Sequence, residues 1–210
     1  MKNMNMEQMK KRLHVDFSGE IGIDAGGLTK DFFSELSKEI FNTERKLFNL
    51  ASNGSTYYPS PQSYREKEYL PKFKFIGRVI GKALYEQCLL ECYFVKPIYK
   101  IILGEQITLK DLESFDHQLY KAFTWMVSND ITSMDLKYVV EAQHSATGQD
   151  EELIPGGKKI AVTNENKIDF LERLIAYKLF GCFDKQIDSF LEGFEELIPR
   201  DLINIFTPNQ

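Results

Sequence analysis

The stretch FKFIGRVIGKALY, residues 73–85, lies in the longest helical pattern of the chain. Its apolar residues and a cysteine just beyond it recur at helical spacing and predict one apolar stripe: Phe75, Val79, Ala83, Leu84 and Cys88. The helix is predicted over residues 71–92, and its wide apolar surface indicates a place at the centre of the fold. Gly77 and Gly81 are four residues apart, and in a charged helix this spacing favours close packing of a neighbouring helix over dimerisation in a membrane.

Outward from this helix, the sequence predicts an α+β fold that is mostly helical. Helical spacing recurs in six further segments: residues 28–41, 97–104, 119–127, 163–179, 184–197 and 199–206. Thr108 and Asp111 form a capping-box pattern that predicts one more short helix. Three segments alternate apolar and polar residues and predict strands: residues 13–17, 136–140 and 159–162. Residues 43–65 look irregular, because proline, asparagine and glycine interrupt any periodicity.

The segment between about residues 113 and 180 has a pattern of its own, because strands and a polar loop interrupt its helices. Its helices carry two apolar ridges, one with Leu119, Phe123 and Met126 and one with Phe170 and Leu174. The pattern alone leaves two interpretations open. The ridges are either ordinary core, which is the commoner role of such residues, or the walls of a groove for a partner.

The composition is typical of a folded globular domain: 43% of the 210 residues are hydrophobic and 27% are charged. Lys and Arg number 26 against 31 Asp and Glu, and the formal charge of −5 argues against a dedicated binder of nucleic acid or of an anionic membrane. No apolar stretch is long enough to span a membrane, and the first twelve residues lack the apolar region of a secretion signal. Together with only three cysteines, these features predict a soluble cytoplasmic protein.

Local motifs identify no active site. Residues 22–29, GIDAGGLT, nearly match the phosphate-binding pattern G-x-x-x-x-G-K-[ST], but Leu28 replaces the lysine that would meet phosphate charge. We interpret this segment as a tight turn from a strand into a helix. Cys88 and Cys92 are spaced to face one metal ion on a helix, yet the three histidines are scattered: His14, His117 and His144. This favours buried, reduced thiols and predicts no metal or other cofactor.

Several segments, in order and at matching spacing, resemble the catalytic domain of HECT-type ubiquitin ligases, and specifically its N-terminal lobe. They are residues 19–33 (GEIGIDAGGLTKDFF), 38–42 (KEIFN), 73–85, 96–100 (KPIYK), 107–112 (ITLKDL), 162–167 (VTNENK), 190–194 (FLEGF) and 197–202 (LIPRDL). The resemblance runs from about residue 13 to the last residue and is greatest to the branch that carries WW domains.

The resemblance implies an N-lobe made of a larger helical subdomain with a smaller α/β subdomain inserted into it. Residues 13–112 and 181–210 would form the large subdomain, residues 113–180 the small one, and residues 1–12 an N-terminal extension or first helix. In the family, the small subdomain docks a ubiquitin-conjugating enzyme in a hydrophobic groove. Carried over by position, the groove residues are Leu119, Phe123, Met126, Leu136, Tyr138, Phe170 and Leu174.

Two departures from the family pattern limit what this chain is expected to do. The family's C-terminal lobe carries the cysteine that receives ubiquitin as a thioester, and none of the three cysteines here lies in its Thr-Cys-Phe context. We therefore expect that lobe to be absent and the chain to be inactive alone. The family's N-lobe also has a noncovalent ubiquitin site with a tyrosine where this sequence has Ser55, near Tyr57 and Tyr58. At most weak binding of ubiquitin to this lobe is expected.

The resemblance thus implies a ubiquitin-protein transferase that recruits a charged conjugating enzyme, accepts ubiquitin on a C-lobe cysteine and passes it to a substrate lysine. Substrate proteins would bind through regions outside this chain, and neither nucleic acid nor a cofactor is implied. The alternative is a non-catalytic interaction module that only docks a conjugating enzyme or another partner. If Phe170 belongs to the groove, Phe170→Ala is expected to weaken docking and to change the melting temperature little.

Overall fold

The computed structural model describes residues 1, 4–19, 26–91, 93–141 and 148–203. The helices within these ranges are α1 (Met6–Lys10), α2 (Gly27–Phe41), α3 (Tyr69–Tyr85), α4 (Lys96–Ile102), α5 (Leu109–Phe115), α6 (His117–Ser128), α7 (Lys167–Ala176), α8 (Asp184–Glu195) and α9 (Arg200–Ile203). Short strands form two antiparallel pairs, β1 (Phe48–Leu50) with β2 (Tyr57–Pro59) and β3 (Val139–Val140) with β4 (Glu151–Glu152). The predicted α+β fold, mostly helical, is confirmed.

The centre of the fold is the crossing of α3 and α8, whose backbones touch. A Cβ atom on Gly77 of α3 would lie 2.0 Å from the carbonyl oxygen of Phe190 in α8. A Cβ atom on Gly193 of α8 would lie 2.0 Å from the carbonyl oxygen of Lys74 in α3. Only glycine permits this approach, so the predicted role of the glycine spacing in helix packing is confirmed.

A phenylalanine-rich first core surrounds this crossing and gathers buried residues of α2, β1, α3 and α8. Phe73 is fully buried, and its ring meets the ring of Phe48 edge-on at 5.3 Å between centroids. The helical pattern predicted α3 and, within its stripe, Val79 and Ala83 are buried as expected, whereas Leu84 is 49% exposed and Phe75 is only half-buried. The helix also ends at Tyr85, so half-buried Cys88 lies beyond it.

The buried face of α3 also includes a lysine, which hydrophobicity alone does not predict. Lys82 is 1% exposed, and its ammonium donates to the carbonyl oxygen of Lys11 at 2.6 Å and to the Glu86 carboxylate at 2.5 Å. The same carboxylate accepts from the backbone N–H of Leu13 at 2.9 Å. Burial raises the pKa of Glu86, but the hydrogen bonds from Lys82 and Leu13 outweigh it and hold this pKa below its usual value. Lys11 and Leu13 are thus bonded to residues in and just after α3, and the strand predicted at residues 13–17 is not formed.

The pair of β1 and β2 lies in the segment predicted to be irregular, so that prediction was wrong. Asn53 accepts from the backbone N–H groups of Ser55 and Thr56 at 3.0 and 3.1 Å, and Gly54 has a φ of +69°. An Asn-Gly pair is a strong hairpin signal, but the strands beside it are only three residues long, too short for their sequence to show an alternating pattern.

A second core occupies the segment predicted as the small subdomain and also takes in Leu112 of α5. Its buried residues are Leu112, Phe123, Met126, Ile131, Tyr138, Val162, Phe170, Leu171, Ile175 and Leu179. The predicted capping box is confirmed, since the Asp111 carboxylate accepts from the Thr108 N–H at 2.8 Å. The subdomain boundaries themselves stay a prediction.

The strands of this segment differ in part from those predicted. β3 lies within predicted residues 136–140, but its partner β4 lies in the predicted polar loop. The strand predicted at residues 159–162 is reduced to one isolated bridge between Lys137 and Ala161. The reason is the compact turn at Gly157, where the chain folds directly over Tyr138 and leaves no room for a regular ladder.

Some predictions fall outside the described residues. These are the centre of the glycine-rich segment (residues 20–25), Cys92, His144 and the predicted end of the last helix beyond residue 203. Within the described part of the chain, no helix is both long and apolar enough to cross a membrane.

Candidate functional site

A groove of about 730 Å³ opens on the surface of the second core, lined by α6, α7 and the segment of residues 134–141. Four of the seven residues predicted for docking line it: Leu119, Leu136, Phe170 and Leu174. We call this hollow the docking groove. The other three predicted residues are buried in the second core and do not line it: Phe123, Met126 and Tyr138.

The first wall of the docking groove is the start of α6. The Asp116 carboxylate caps this helix by accepting from the backbone N–H groups of Gln118 and Leu119 at 3.1 and 3.0 Å. The cap fixes the first turn, and with it the half-buried side chain of Leu119. Phe123 and Met126 follow at helical spacing, but they lie further along the helix where the second core covers them.

The second wall is the segment that contains Leu136 and Tyr138. The carbonyl oxygen of Leu136 accepts from the N–H of Val162 at 2.8 Å, and that of Tyr138 accepts from the N–H of Leu153 at 2.9 Å. Gly157 packs on the same carbonyl, since a Cβ atom there would lie 2.3 Å from the Tyr138 oxygen. Backbone contacts on one side of this segment therefore hold the side chain of Leu136 toward the groove.

The third wall is α7, through Phe170 and Leu174 one turn apart. Phe170 is only 3% exposed, and the ring of Tyr138 meets its ring edge-on at 5.5 Å. Leu174 is half-buried. Phe170 thus serves the second core and the groove surface at once, which changes the expectation that its truncation would leave the melting temperature nearly unaltered.

Hydrophobic spacing did not predict the remaining lining residues. Met134, 44% exposed, extends the apolar surface, and Val139 and Val140 line the groove from β3. The predicted strand at residues 136–140 was the signal that could have found these two valines. Charges of both signs surround the apolar floor: Asp135, Lys137, Glu141, Asp150, Lys158 and Lys178. An apolar centre with a mixed polar rim is the anatomy of a protein-binding surface.

The described residues in and around the docking groove show no arrangement suited to chemistry on a small molecule. Among the described residues, no group of three or more His, Cys, Asp or Glu side chains could hold a metal ion. Burial raises the pKa of the Cys182 thiol, which keeps it protonated and poorly nucleophilic. Burial, together with nearby Asp169, raises the pKa of Tyr138, whose hydroxyl donates to the carbonyl oxygen of Asn166 at 3.0 Å.

The position suggested for a second ubiquitin site lies in the β1–β2 turn of the first core. Ser55 is exposed there. Tyr57 and Tyr58 are half-buried, with their rings 5.2 Å from Phe41 and 4.7 Å from Phe115, respectively. Both tyrosines therefore contribute to packing within the fold, and weak ubiquitin binding at this place stays a prediction.

Comparison with known sequences gives a consistent result. The family described as HECT-domain (ubiquitin-transferase) matches residues 34–210. The chain is 43% identical over 201 residues to the E3 ubiquitin-protein ligase TOM1-like of Neurospora crassa, covering 95% of this chain and 5% of that protein. It is 42% identical over 204 residues to the E3 ubiquitin-protein ligase TOM1 of Saccharomyces cerevisiae, covering 96% of this chain and 6% of the relative.

A third relative, the E3 ubiquitin-protein ligase NEDD4 of Mus musculus, is 40% identical over 204 residues, covering 96% of this chain and 23% of that protein. The chain therefore spans between a twentieth and a quarter of the length of these relatives. Identities of 40 to 43% do not separate branches within the family, so the greater resemblance to the branch that carries WW domains stays a prediction.

Proposed function

The chain belongs to the HECT-domain (ubiquitin-transferase) family, and we propose that it is the N-lobe of a ubiquitin-protein ligase whose docking groove recruits a ubiquitin-conjugating enzyme. The observation that carries the proposal is the groove itself, where four apolar side chains from three separate elements converge inside a charged rim. These four belong to the seven positions that the family resemblance suggested for docking; the other three are buried in the second core.

The proposed reaction of the whole protein is a transthiolation followed by transfer to a substrate lysine. A cysteine thiolate on another lobe, outside these 210 residues, attacks the carbonyl carbon of the thioester between ubiquitin and the conjugating enzyme. The new carbon–sulfur bond forms as the old one breaks, and the conjugating enzyme's cysteine leaves as a thiolate. This chemistry requires no metal or cofactor, so the contribution of the present lobe is to position the charged enzyme. The cytoplasmic location stays a prediction.

Leu174→Asp is expected to weaken binding of a conjugating enzyme about thirtyfold or more. Leu174 lines the docking groove, and loss of an apolar anchor at the centre of an interface costs about 2 kcal/mol, to which an unpaired carboxylate adds. Calorimetric titration of the wild-type chain against a panel of purified conjugating enzymes would first identify one that binds. Titration of the variant against the same enzyme would then measure the loss of affinity.

Ile168→Asp provides the matched control, because it also replaces an aliphatic residue of α7 with aspartate. Ile168 is 47% exposed and lines a different hollow on the other side of α7. Its affinity should stay within about twofold of wild type, since surface substitutions away from an interface cost little. Equal losses in both variants, or no wild-type binding to any enzyme of the panel, would contradict the proposed function.

The 210-residue chain is expected to form no thiol-sensitive adduct with ubiquitin when mixed with a charged conjugating enzyme. Cys88 and Cys182 are both half-buried, and burial holds the Cys182 thiol in its protonated form. Non-reducing electrophoresis with and without dithiothreitol would test this. A reducible band would show that a cysteine of this lobe accepts ubiquitin. It would overturn the proposal that the accepting cysteine belongs to another lobe.

A further inference from the structure

The turn that follows α6 and the loop that precedes α7 are tied together by side-chain hydrogen bonds, three of which belong to Asn164. We propose that Asn164 is a positioning residue for the docking groove, which holds α6 at the correct distance from α7. This inference rests on the proposed function, because it concerns the groove that the conjugating enzyme would occupy.

Both ends of the Asn164 amide are used across the gap between the two helices. Its Oδ1 accepts from the backbone N–H of Ile131 at 3.1 Å. Its Nδ2 donates to Asp130 Oδ1 at 2.7 Å and to Thr132 Oγ1 at 3.2 Å. The residues it reaches come directly after α6, more than thirty positions earlier in the sequence. We call these three hydrogen bonds between Asn164 and residues 130–132 the clasp. Ile131 is 1% exposed and packs in the second core, so the clasp is anchored to a buried part of the fold.

Asp130 is the charged partner in this clasp. Its Oδ1 accepts from the N–H of Thr132 at 2.9 Å and from the hydroxyl of Thr132 at 2.7 Å, besides the bond from Asn164. These hydrogen bonds lower the pKa of Asp130 to about 2, so the carboxylate is ionised throughout the neutral range. A hydrogen bond to an ionised acceptor is stronger than one between neutral groups.

Asn166 in the same loop and Lys167 at the start of α7 add further hydrogen bonds. Asn166 accepts from the N–H of Thr163 at 2.7 Å and donates to the carbonyl oxygen of Ala161 at 3.0 Å. Lys167 donates to the carbonyl oxygen of Asn129, next to the end of α6, at 2.6 Å. The loop is thereby held in a non-helical form, which explains why α7 begins at Lys167 and not at the predicted Thr163.

Asn164 itself is exposed and does not line the docking groove. Any effect of its replacement on binding must therefore act through the walls that it connects. Loss of these hydrogen bonds would free the end of α6, and the chain that continues from it to Met134 and Leu136, to shift relative to Phe170 of α7. A misplaced wall weakens a preorganised interface even when every contacting side chain is retained.

The test exchanges the two partners of the clasp. Asn164→Ala is expected to weaken binding of the conjugating enzyme about tenfold, and Asn164→Asp at least as much, because two carboxylates would then face each other. The double variant Asp130→Asn with Asn164→Asp swaps amide and carboxylate, and should return the affinity to within about threefold of wild type. Calorimetric titration at 15 °C, on samples that circular dichroism shows to be folded, would measure all four proteins.

A purely structural role would not produce this pattern. Gln186→Ala is the matched control, since the buried Gln186 amide also ties distant segments, donating to Ser63 Oγ at 3.0 Å, but in the first core. It should lower the melting temperature and leave the affinity unchanged. If the wild type binds while Asn164→Ala binds equally well, or if the swap restores nothing, the positioning role is overturned and the proposed function stands. If the wild type binds no conjugating enzyme, both are overturned.

Discussion

Gly77→Ala is expected to destabilise the fold by about 4 kcal/mol or more, which is exceptional for a single methyl group. The added Cβ would lie 2.0 Å from the carbonyl oxygen of Phe190 and 2.8 Å from the backbone nitrogen of Phe194. Both contacts are with backbone, so no side-chain rotation relieves them, and α3 and α8 must separate. Separation would open voids in the first core, whose close packing tolerates few of them. A thermal melt should show a loss of roughly 10 °C or more.

Gly81→Ala is the matched control for this prediction. It lies one turn later on the same helix, and its added Cβ would meet the carbonyl oxygen of Phe194 at 3.1 Å, a contact that a shift of a few tenths of an ångström relieves. Both substitutions gain the same intrinsic helix propensity, about 1 kcal/mol, so the difference between them reports on packing alone. Equal melting temperatures for the two variants would mean that the helices do not cross as closely as described.

Local sequence patterns anticipated most helices and few of the strands, for a physical reason. Helices such as α2 and α8 repeat their apolar residues over three turns or more, so their pattern rises above chance. The strands are two or three residues long and depend on contacts with distant segments. Lys82 shows the same limit in α3, because its burial depends on the carbonyl oxygen of Lys11, 71 positions earlier in the sequence.

The candidate site shows where periodicity stops being informative. Helical spacing places Leu119, Phe123 and Met126 on one face of α6, but it cannot state how far along that face the second core extends. The structure covers the last two and leaves Leu119 at the groove. Asn164 carries no periodic signal at all, since its importance lies in hydrogen bonds to a turn more than thirty residues away.

Phe170→Ala is expected to produce two large effects at once. Phe170 is 3% exposed within the second core, so its truncation leaves a cavity beside Tyr138 that costs about 3–5 kcal/mol of folding free energy. It also lines the docking groove, and loss of its ring should weaken binding of a conjugating enzyme about thirtyfold or more. A thermal melt and a calorimetric titration at 15 °C on the same sample would measure both quantities.

Phe123→Ala separates the two effects, because Phe123 is equally buried in the same core but does not line the groove. We expect its melting temperature to fall about as far as that of Phe170→Ala, while its affinity for the conjugating enzyme stays within about threefold of wild type. Equal losses of affinity in the two variants would show that binding reports only on the integrity of the second core. The assignment of Phe170 to the docking surface would then be wrong, and the ring would be a core residue alone.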